Sequence, residues 1–293
     1  MSGRYPGWAT DGKDWPNREA SSFVRAGGYH WHVQMMGEGP VCLLIHGTGA
    51  ATHSWRELLP LLAKSCRVIA VDLPGHGFTK GTGQKPTLEG MATAISALLD
   101  ALQQTPDVII GHSAGVAIGA QLLLDRKLDI PLIGFTPALM PFPGLAAKIF
   151  PSLAKMLFTN PFVAIIFSRM AQAPGQTAKF LARATGSKVD AAGAKYYTRL
   201  FSRSGHCDGA IRMMANWQLE PLGKRLGNIT APVLLVNAAK DAAIPKPAVL
   251  QAAALIPGCA TLELAALGHL AHEEDPAQAA QIVTDFMHAI TAR

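Results

Sequence analysis

Short apolar runs alternate with longer stretches of helical spacing along most of the chain. Val41–Ile45, Arg67–Val71, Val108–Ile110, Leu132–Phe135, Val233–Val236 and Thr261–Leu264 read as strands. Several are apolar at consecutive positions, as strands buried on both faces are. Between and after them, Leu88–Gln103, Val116–Leu124, Pro247–Ile256 and Pro276–Ala289 carry the spacing of amphipathic helices. Strands alternating with helices predict an α/β fold, a mostly parallel sheet with helices on both faces. Ahead of the first core strand, Phe23–Ala26 and His30–Met36, joined by Gly27-Gly28, predict a β-hairpin. Met1–Ala20, with Trp8, Trp15 and several charges, reads as an extended arm lying on the surface. Ser54 is the expected N-cap of a helix reaching about Lys64, with Glu57 at the capping-box position.

The alternation breaks between Thr136 and about Trp217. This stretch is helical in pattern, holds no convincing strand and is punctuated by Pro137, Pro141, Pro143, Pro151, Pro161 and Pro174. It predicts an inserted helical cap over residues 137–217, with 1–136 and 218–293 forming the core. The cap's charge is lopsided. Lys148, Lys155, Arg169, Lys179, Arg183, Lys188, Lys195, Arg199, Arg203 and Arg212 face only Asp190 and Asp208, a net +8 against +6 for the whole chain. Among these cations lie Leu139, Met140, Phe142, Phe150, Met156, Phe158, Phe162, Phe167 and Met170. An apolar, basic lid suits a large hydrophobic anion or an anionic membrane surface, with Arg199 and Arg203 as candidates to pair carboxylates. The alternative is a solvated charge face over a plain helical core. The basic residues are scattered without a binding motif, so nucleic acid is not an expected partner.

A chain that is 49% apolar and 16% charged is globular rather than disordered. The first thirty residues hold Arg4, Asp11, Lys13, Asp14, Arg18 and Glu19 and no apolar core, so no signal peptide is expected. The longest uncharged candidate for a span, Met156–Ser168, is short and broken by Asn160-Pro161. Cys42, Cys66, Cys207 and Cys259 lie far apart with no C-x-x-C pair, so neither a disulfide framework nor a zinc site is expected. The expected location is the cytoplasm, at the membrane periphery if the cap touches lipid. No cofactor is expected.

The stretch with most chemical content is Gly111-His112-Ser113-Ala114-Gly115, set between the strand Val108–Ile110 and the helical run from Val116. Strand, turn and helix around G-x-S-x-G make a nucleophile elbow, in which Ser113 sits on a strained turn and Ala114 N–H opens a helix. Alone, such a string is an ordinary glycine-rich turn. A serine nucleophile also needs a base, a group to orient the base, and donors for an oxyanion. Asp241 follows the strand Val233–Val236 and His269 follows Thr261–Leu264, so serine, acid and histidine come in order after three core strands. His272 competes with His269 but is expected to open the last helix. The oxyanion donors are expected to be the N–H groups of Thr48 and Ala114, with Gly49 as a fallback. His112 is expected to pack beneath the elbow, His76 to be structural, and His46 to order the oxyanion loop through a ring hydrogen bond. His206, Cys207 and Asp208 sit together in the cap, a weak case for a metal without a second cluster.

Through His46-Gly47-Thr48-Gly49, Asp72-Leu73-Pro74-Gly75-His76-Gly77, Gly111–Gly115, Asp241 and Gly268-His269, the chain resembles the α/β-hydrolase superfamily over its whole length. More narrowly it is similar to the magnesium-chelatase accessory group of bacteriochlorophyll biosynthesis, the BchO group. The residues that carry this are Asp14-Trp15-Pro16-Asn17-Arg18, His46–Ala50 with Thr52-His53-Ser54-Trp55, Met213-Met214-Ala215-Asn216-Trp217 and Gly268–Glu273. The resemblance implies a photosynthetic bacterium and a role around magnesium insertion into protoporphyrin. Haloalkane dehalogenases and epoxide hydrolases of this fold place an aspartate at the elbow, so Ser113 points to acyl-type chemistry. One departure is Ala238, where such hydrolases usually place a glycine three residues before the acid. The expected function is therefore a serine hydrolase for an ester or thioester of a bulky apolar, anionic compound, plausibly a porphyrin. Two alternatives stand beside it: a non-catalytic porphyrin-binding accessory protein that docks on magnesium-chelatase subunits, and a general carboxylesterase or carbon–carbon bond hydrolase.

Overall fold

In the computed structural model, which describes residues 3–81, 83–141 and 161–291, the apolar runs become the middle of one nine-stranded sheet. The strands are β1 (Ser21–Ala26), β2 (Tyr29–Met36), β3 (Val41–Ile45), β4 (Arg67–Val71), β5 (Lys80–Gly81), β6 (Val108–His112), β7 (Leu132–Phe135), β8 (Val233–Ala238) and β9 (Ala260–Leu264). Their order is β1-β2-β4-β3-β6-β7-β8-β9, with the two-residue β5 paired to β2. The pairings of β1 with β2 and of β2 with β4 are antiparallel, and every pair from β4 to β9 is parallel. The chain leaves β3 toward β4 on one side and returns to β6 on the other. That reversal makes the carboxyl ends of β3 and β6 the switch point of the sheet, the place where α/β sheets bind their ligands.

On one face pack α3 (Leu88–Leu102), α4 (Ala114–Arg126) and α10 (Lys246–Leu255); on the other lie α2 (Leu58–Leu62) and α12 (Pro276–Thr291). The other helices outside the cap are α1 (Trp8–Asp11), α9 (Glu220–Gly223) and α11 (Ala271–Glu274). Helix α3 shows how sequence becomes element. Thr87 caps it by accepting from Gly90 N–H at 3.1 Å, and Leu88, Met91, Ile95, Leu98 and Leu99 form its buried stripe.

Two expectations fail here. The chain does not enter a helix at Ser54. Thr52–Trp55 is a 3₁₀ turn, the Ser54 hydroxyl donates back to the Ala51 carbonyl at 3.0 Å, and α2 begins at Leu58. Pro60 explains the shift. A helix started at Ser54 would put this proline in its interior, whereas α2 holds it in the first turn, where its missing N–H costs nothing.

The N-terminal arm is also not a surface ribbon. Trp15 is 2% exposed, its indole donates to Thr52 Oγ1 at 3.0 Å, and its ring meets Phe78 (4.8 Å), His53 (5.4 Å) and Tyr196 (5.5 Å). Two indoles so near the sheet edge gain more by burial than by lying in water.

Between β7 and α9 the described residues form helices α5 (Pro161–Ala171), α6 (Gln176–Thr185), α7 (Ala191–Phe201) and α8 (Ser204–Ala215), and no strand. They share a small core of Ala164, Ala171, Leu181, Tyr197, Phe201 and Cys207, which also takes in Ala50 and Leu270 from the loops after β3 and β9. The expectations for Phe142, Pro143, Lys148, Phe150, Pro151, Lys155, Met156 and Phe158 fall outside the described residues.

Candidate active site

Ser113 follows β6 and takes the N-cap position of α4 with φ +52° and ψ −118°, a conformation that L-residues rarely hold. Its backbone is over-determined: its N–H donates to Phe135 O at 3.0 Å, and its carbonyl accepts from Val116 N at 3.1 Å and Ala138 N at 3.2 Å. The turn also needs its glycines. A Cβ on Gly115 would overlap the Ile45 carbonyl, and one on Gly47 would press on Ser113 Cβ and the His112 ring. Ser113 itself is half-buried.

Across from it, the loop Gly47–Ala50 is pinned from three sides. His46 donates through Nδ1 to Gly47 O at 2.7 Å and accepts Leu73 N–H at Nε2 at 3.0 Å. His206, from cap helix α8, accepts Gly77 N–H at Nδ1 and donates through Nε2 to Gly49 O, both at 3.0 Å. Burial pushes the His46 ring below its usual range and the His206 ring down to about 4, so both hold one neutral tautomer at pH 7. Thr48 Oγ1 lies 3.7 Å from Met213 Sδ. The backbone N–H groups of Thr48 and Ala114 have no protein acceptor among the described residues. Asp72, wholly buried, accepts from Thr52 N (2.7 Å), Phe78 N (2.8 Å) and His32 Nδ1 (2.8 Å), and so ties the Leu73–Phe78 loop to this edge.

The acid and the histidine are brought together. His269 Nδ1 donates to Asp241 Oδ2 at 2.8 Å, with both side chains nearly buried. Asp241 Oδ1 accepts from Ala243 N (2.7 Å) and Ile244 N (2.8 Å), which fixes the carboxylate. With Nδ1 engaged by Asp241, Nε2 is the ring nitrogen left for another partner. The His269 backbone is clamped as well. Its carbonyl accepts from His112 Nε2 (3.0 Å) and Thr136 Oγ1 (2.8 Å), and its N–H donates to Thr185 O (2.8 Å) at the end of α6. Ser187 Oγ accepts Leu270 N–H at 2.8 Å, and Ala242 N–H donates to Thr185 O at 3.3 Å. The α6–α7 turn thus holds both the acid loop and the histidine loop. Thr136, Thr185 and Ser187 carried no sequence signal, since a hydroxyl in a loop looks the same whatever it binds.

His272 makes no hydrogen bond to Asp241; its buried ring sits between Trp55 (4.5 Å) and His112 (4.4 Å). Its neighbour Glu273 binds Arg56 Nη1 and the Tyr197 hydroxyl, both at 2.7 Å. Burial pushes Glu273 up to about 7 against the pull of these partners. Arg56 also holds Asp190, the residue before α7, at 2.8 Å.

His206, Cys207 and Asp208 are each committed elsewhere. Both His206 ring nitrogens are used as above, the Cys207 thiol, pushed up to about 12 by burial, donates to Phe201 O, and Asp208 pairs with Arg4 and Arg212. Arg199 and Arg203, the candidates to pair a ligand's carboxylates, are paired within the chain instead. Arg203 pairs with Asp11 at 2.5 Å and Arg199 with Asp14 at 2.7 Å, where Lys195 joins it. The acids of the N-terminal arm neutralise them, which charge counted within the cap alone did not reveal.

A family model described as "Alpha/beta hydrolase family" matches residues 42–282, and the chain belongs to that family. Within it, the chain is 41% identical over 263 residues to the Magnesium-chelatase 30 kDa subunit of Rhodobacter capsulatus, covering 89% of this chain and 92% of that one. It is 26% identical over 268 residues to 2-hydroxy-6-oxononadienedioate/2-hydroxy-6-oxononatrienedioate hydrolase 2 of Pseudomonas putida, covering 87% and 91%. Among solved structures, an esterase from Exiguobacterium antarcticum superposes with a TM-score of 0.75 at 18% identity, over 90% of this chain and 98% of that one, a likeness of fold.

Proposed function

We propose that this protein is a serine hydrolase in which Ser113, His269 and Asp241 act as a catalytic triad. The observation that carries this reading is the buried His269–Asp241 hydrogen bond, 2.8 Å long, at the carboxyl edge of the sheet where Ser113 sits in its strained turn. Ser113 Oγ attacks the acyl carbon while its proton passes to His269 Nε2. Asp241 holds the ring and stabilises the imidazolium. The carbonyl oxygen becomes an oxyanion that accepts from Thr48 and Ala114 N–H, each worth ~3–4 kcal/mol in the transition state. Collapse expels the alcohol or thiol with the proton from His269, and water then cleaves the acyl-enzyme by the same route.

The substrate we favour is an ester or thioester of a bulky apolar anion, a tetrapyrrole among them, received under the 137–217 segment as a roof. Two things support it: the Phe201 ring beside Gly49 and the name borne by the Rhodobacter relative. That name equally favours a second reading, a porphyrin-holding partner of chelatase subunits in which the triad does not turn over.

Fluorophosphonate labelling separates the two. The expected result is labelling of the native protein and none of Ser113→Ala, whose ester turnover falls by roughly 10⁶-fold while its fold is kept. A Ser113→Ala protein that hydrolyses esters at the parental rate overturns the triad. A native protein that resists the probe yet shifts the Soret band of protoporphyrin saturably at micromolar concentration supports the accessory role.

A further inference from the structure

Helix α5 turns its apolar face outward. Phe162 (65%), Ile166 (58%) and Met170 (62%) are exposed at four-residue spacing, with Ile165 (39%) beside them, while Ala164, Ser168 and Ala171 face the cap's core. On the next helix Phe180 is 44% exposed. A soluble face with this spacing would carry polar groups, so the stripe marks a contact.

The charge around it says what kind. No aspartate or glutamate occurs between Asp129 and Asp190, a stretch that carries Lys148, Lys155, Arg169, Lys179, Arg183 and Lys188. Arg169, Lys179 and Arg183 are exposed, and among the described residues none of them makes a salt bridge. Every other cation on α7 and α8 has found a carboxylate. No described helix is long and apolar enough to cross a membrane, so a lipid contact here is one of lying on the surface.

We propose that the α5–α6 face of the cap docks this protein on an anionic phospholipid surface. Phe162, Ile166 and Met170 enter the boundary of headgroups and acyl chains, and Arg169, Lys179 and Arg183 meet the lipid phosphates. Phe167, on the inner side of α5, stacks edge-on against Phe201 at 5.5 Å, and the Phe201 ring lies against Gly49. The docking face is therefore two aromatic rings away from the oxyanion loop, and an apolar substrate dissolved in the bilayer would arrive beside Ser113. That last point rests on the hydrolase reading; the docking does not.

Sedimentation with vesicles tests it. The full chain is expected to pellet with vesicles of equal phosphatidylglycerol and phosphatidylcholine, weakly with phosphatidylcholine alone, and to be released at about 1 M NaCl, where the Debye length falls to ~3 Å. Replacing Ile166 and Met170 together by serine should lower partitioning at least roughly tenfold on either vesicle. Each of Arg169→Gln, Lys179→Gln and Arg183→Gln should lower it about fivefold on anionic vesicles alone. Ser113→Ala should bind as the parent does, which keeps this test apart from the triad, and turnover of a small soluble ester should survive Ile166→Ser. Vesicle binding that is absent, or unchanged in these variants, overturns the proposal. So does a concentration-dependent dimer by light scattering that Ile166→Ser dissolves while vesicle binding stays absent, since the stripe is then a contact between two copies.

Discussion

Two pairs of helices between β7 and β8 use the same kind of charge differently. On α7, α8 and the turn between them, Lys195, Arg199, Arg203 and Arg212 all pair, with Asp11 and Asp14 of the arm or with Asp208. On α5 and α6, Arg169, Lys179 and Arg183 stand in water beside exposed Ile166 and Met170. The α7–α8 part also carries the polar groups that reach core loops: His206 on the Gly47–Ala50 loop, Tyr197 on Glu273, and Asp190 on Arg56. Among the described residues the positive charge thus falls on two surfaces, one knitted inward and one left open outward.

Removing the arm's anchor should break this contrast most severely. Trp15→Ala deletes a ring held among Phe78, His53 and Tyr196 and strips Thr52 Oγ1 of its indole donor. A loss of ~3–5 kcal/mol is expected, read as a lower urea midpoint. Because Asp11 and Asp14 are carried by the same arm, ester turnover should fall with it.

Acid should find the knitted half next. His206 is held down to about 4 by burial, against an ordinary value of 6.5. Its unfolded form takes up a proton below 6.5 that the folded form refuses, so its contribution is full above pH 6.5 and is lost as pH falls toward 4. For this group that is on the order of 3 kcal/mol. His46, His53, His76, His112 and His272 are lowered by burial too and add in the same direction. Urea midpoints taken from pH 7.5 down to 5 should therefore decline, and a flat profile would contradict the buried neutral rings.

The same histidine tests how the cap acts on the site. His206→Phe removes the donor to Gly49 O and the acceptor of Gly77 N–H, leaving the oxyanion loop free to shift. A fall in kcat of about ten- to a hundredfold is expected with KM little changed, because the loop matters most once the oxyanion forms. His206→Gln, which keeps an N–H for Gly49 O, should recover part of the loss. Equal loss in both variants would make His206 a packing residue only.

What could be read beforehand follows from range. The core strands were legible because continuous apolar runs are local, and the elbow because its glycines answer to contacts within the same turn and the strand beside it. Leu88–Gln103 was expected and Leu88–Leu102 is found, for the same reason. Ser54 misled because a capping box is only one use of a serine followed by a glutamate, and Pro60 weighed more. The arm, His206, Thr136, Thr185 and Arg56–Glu273 were not legible, since each acts through a partner far along the chain: His206 reaches Gly49 and Gly77, and Arg203 reaches Asp11. That His269 rather than His272 meets Asp241 was legible only because order after a strand is itself a local signal.

The smallest effect expected is also the sharpest test of the contrast. Arg169→Gln and Lys179→Gln remove cations that hold no carboxylate, so folding stability should move by less than about 0.5 kcal/mol. Arg203→Gln removes a cation whose partner, Asp11, is nearly buried and also binds Gly7 N–H at 2.8 Å. Leaving that carboxylate without its guanidinium should cost ~1–3 kcal/mol. All three substitutions take one positive charge from the cap, so any effect of net charge alone would be equal among them. Urea unfolding at a single ionic strength reads the difference directly. If Arg169→Gln destabilised as much as Arg203→Gln, the outer cations would be part of the fold's own wiring, and the division of the cap into an inward and an outward half would fail.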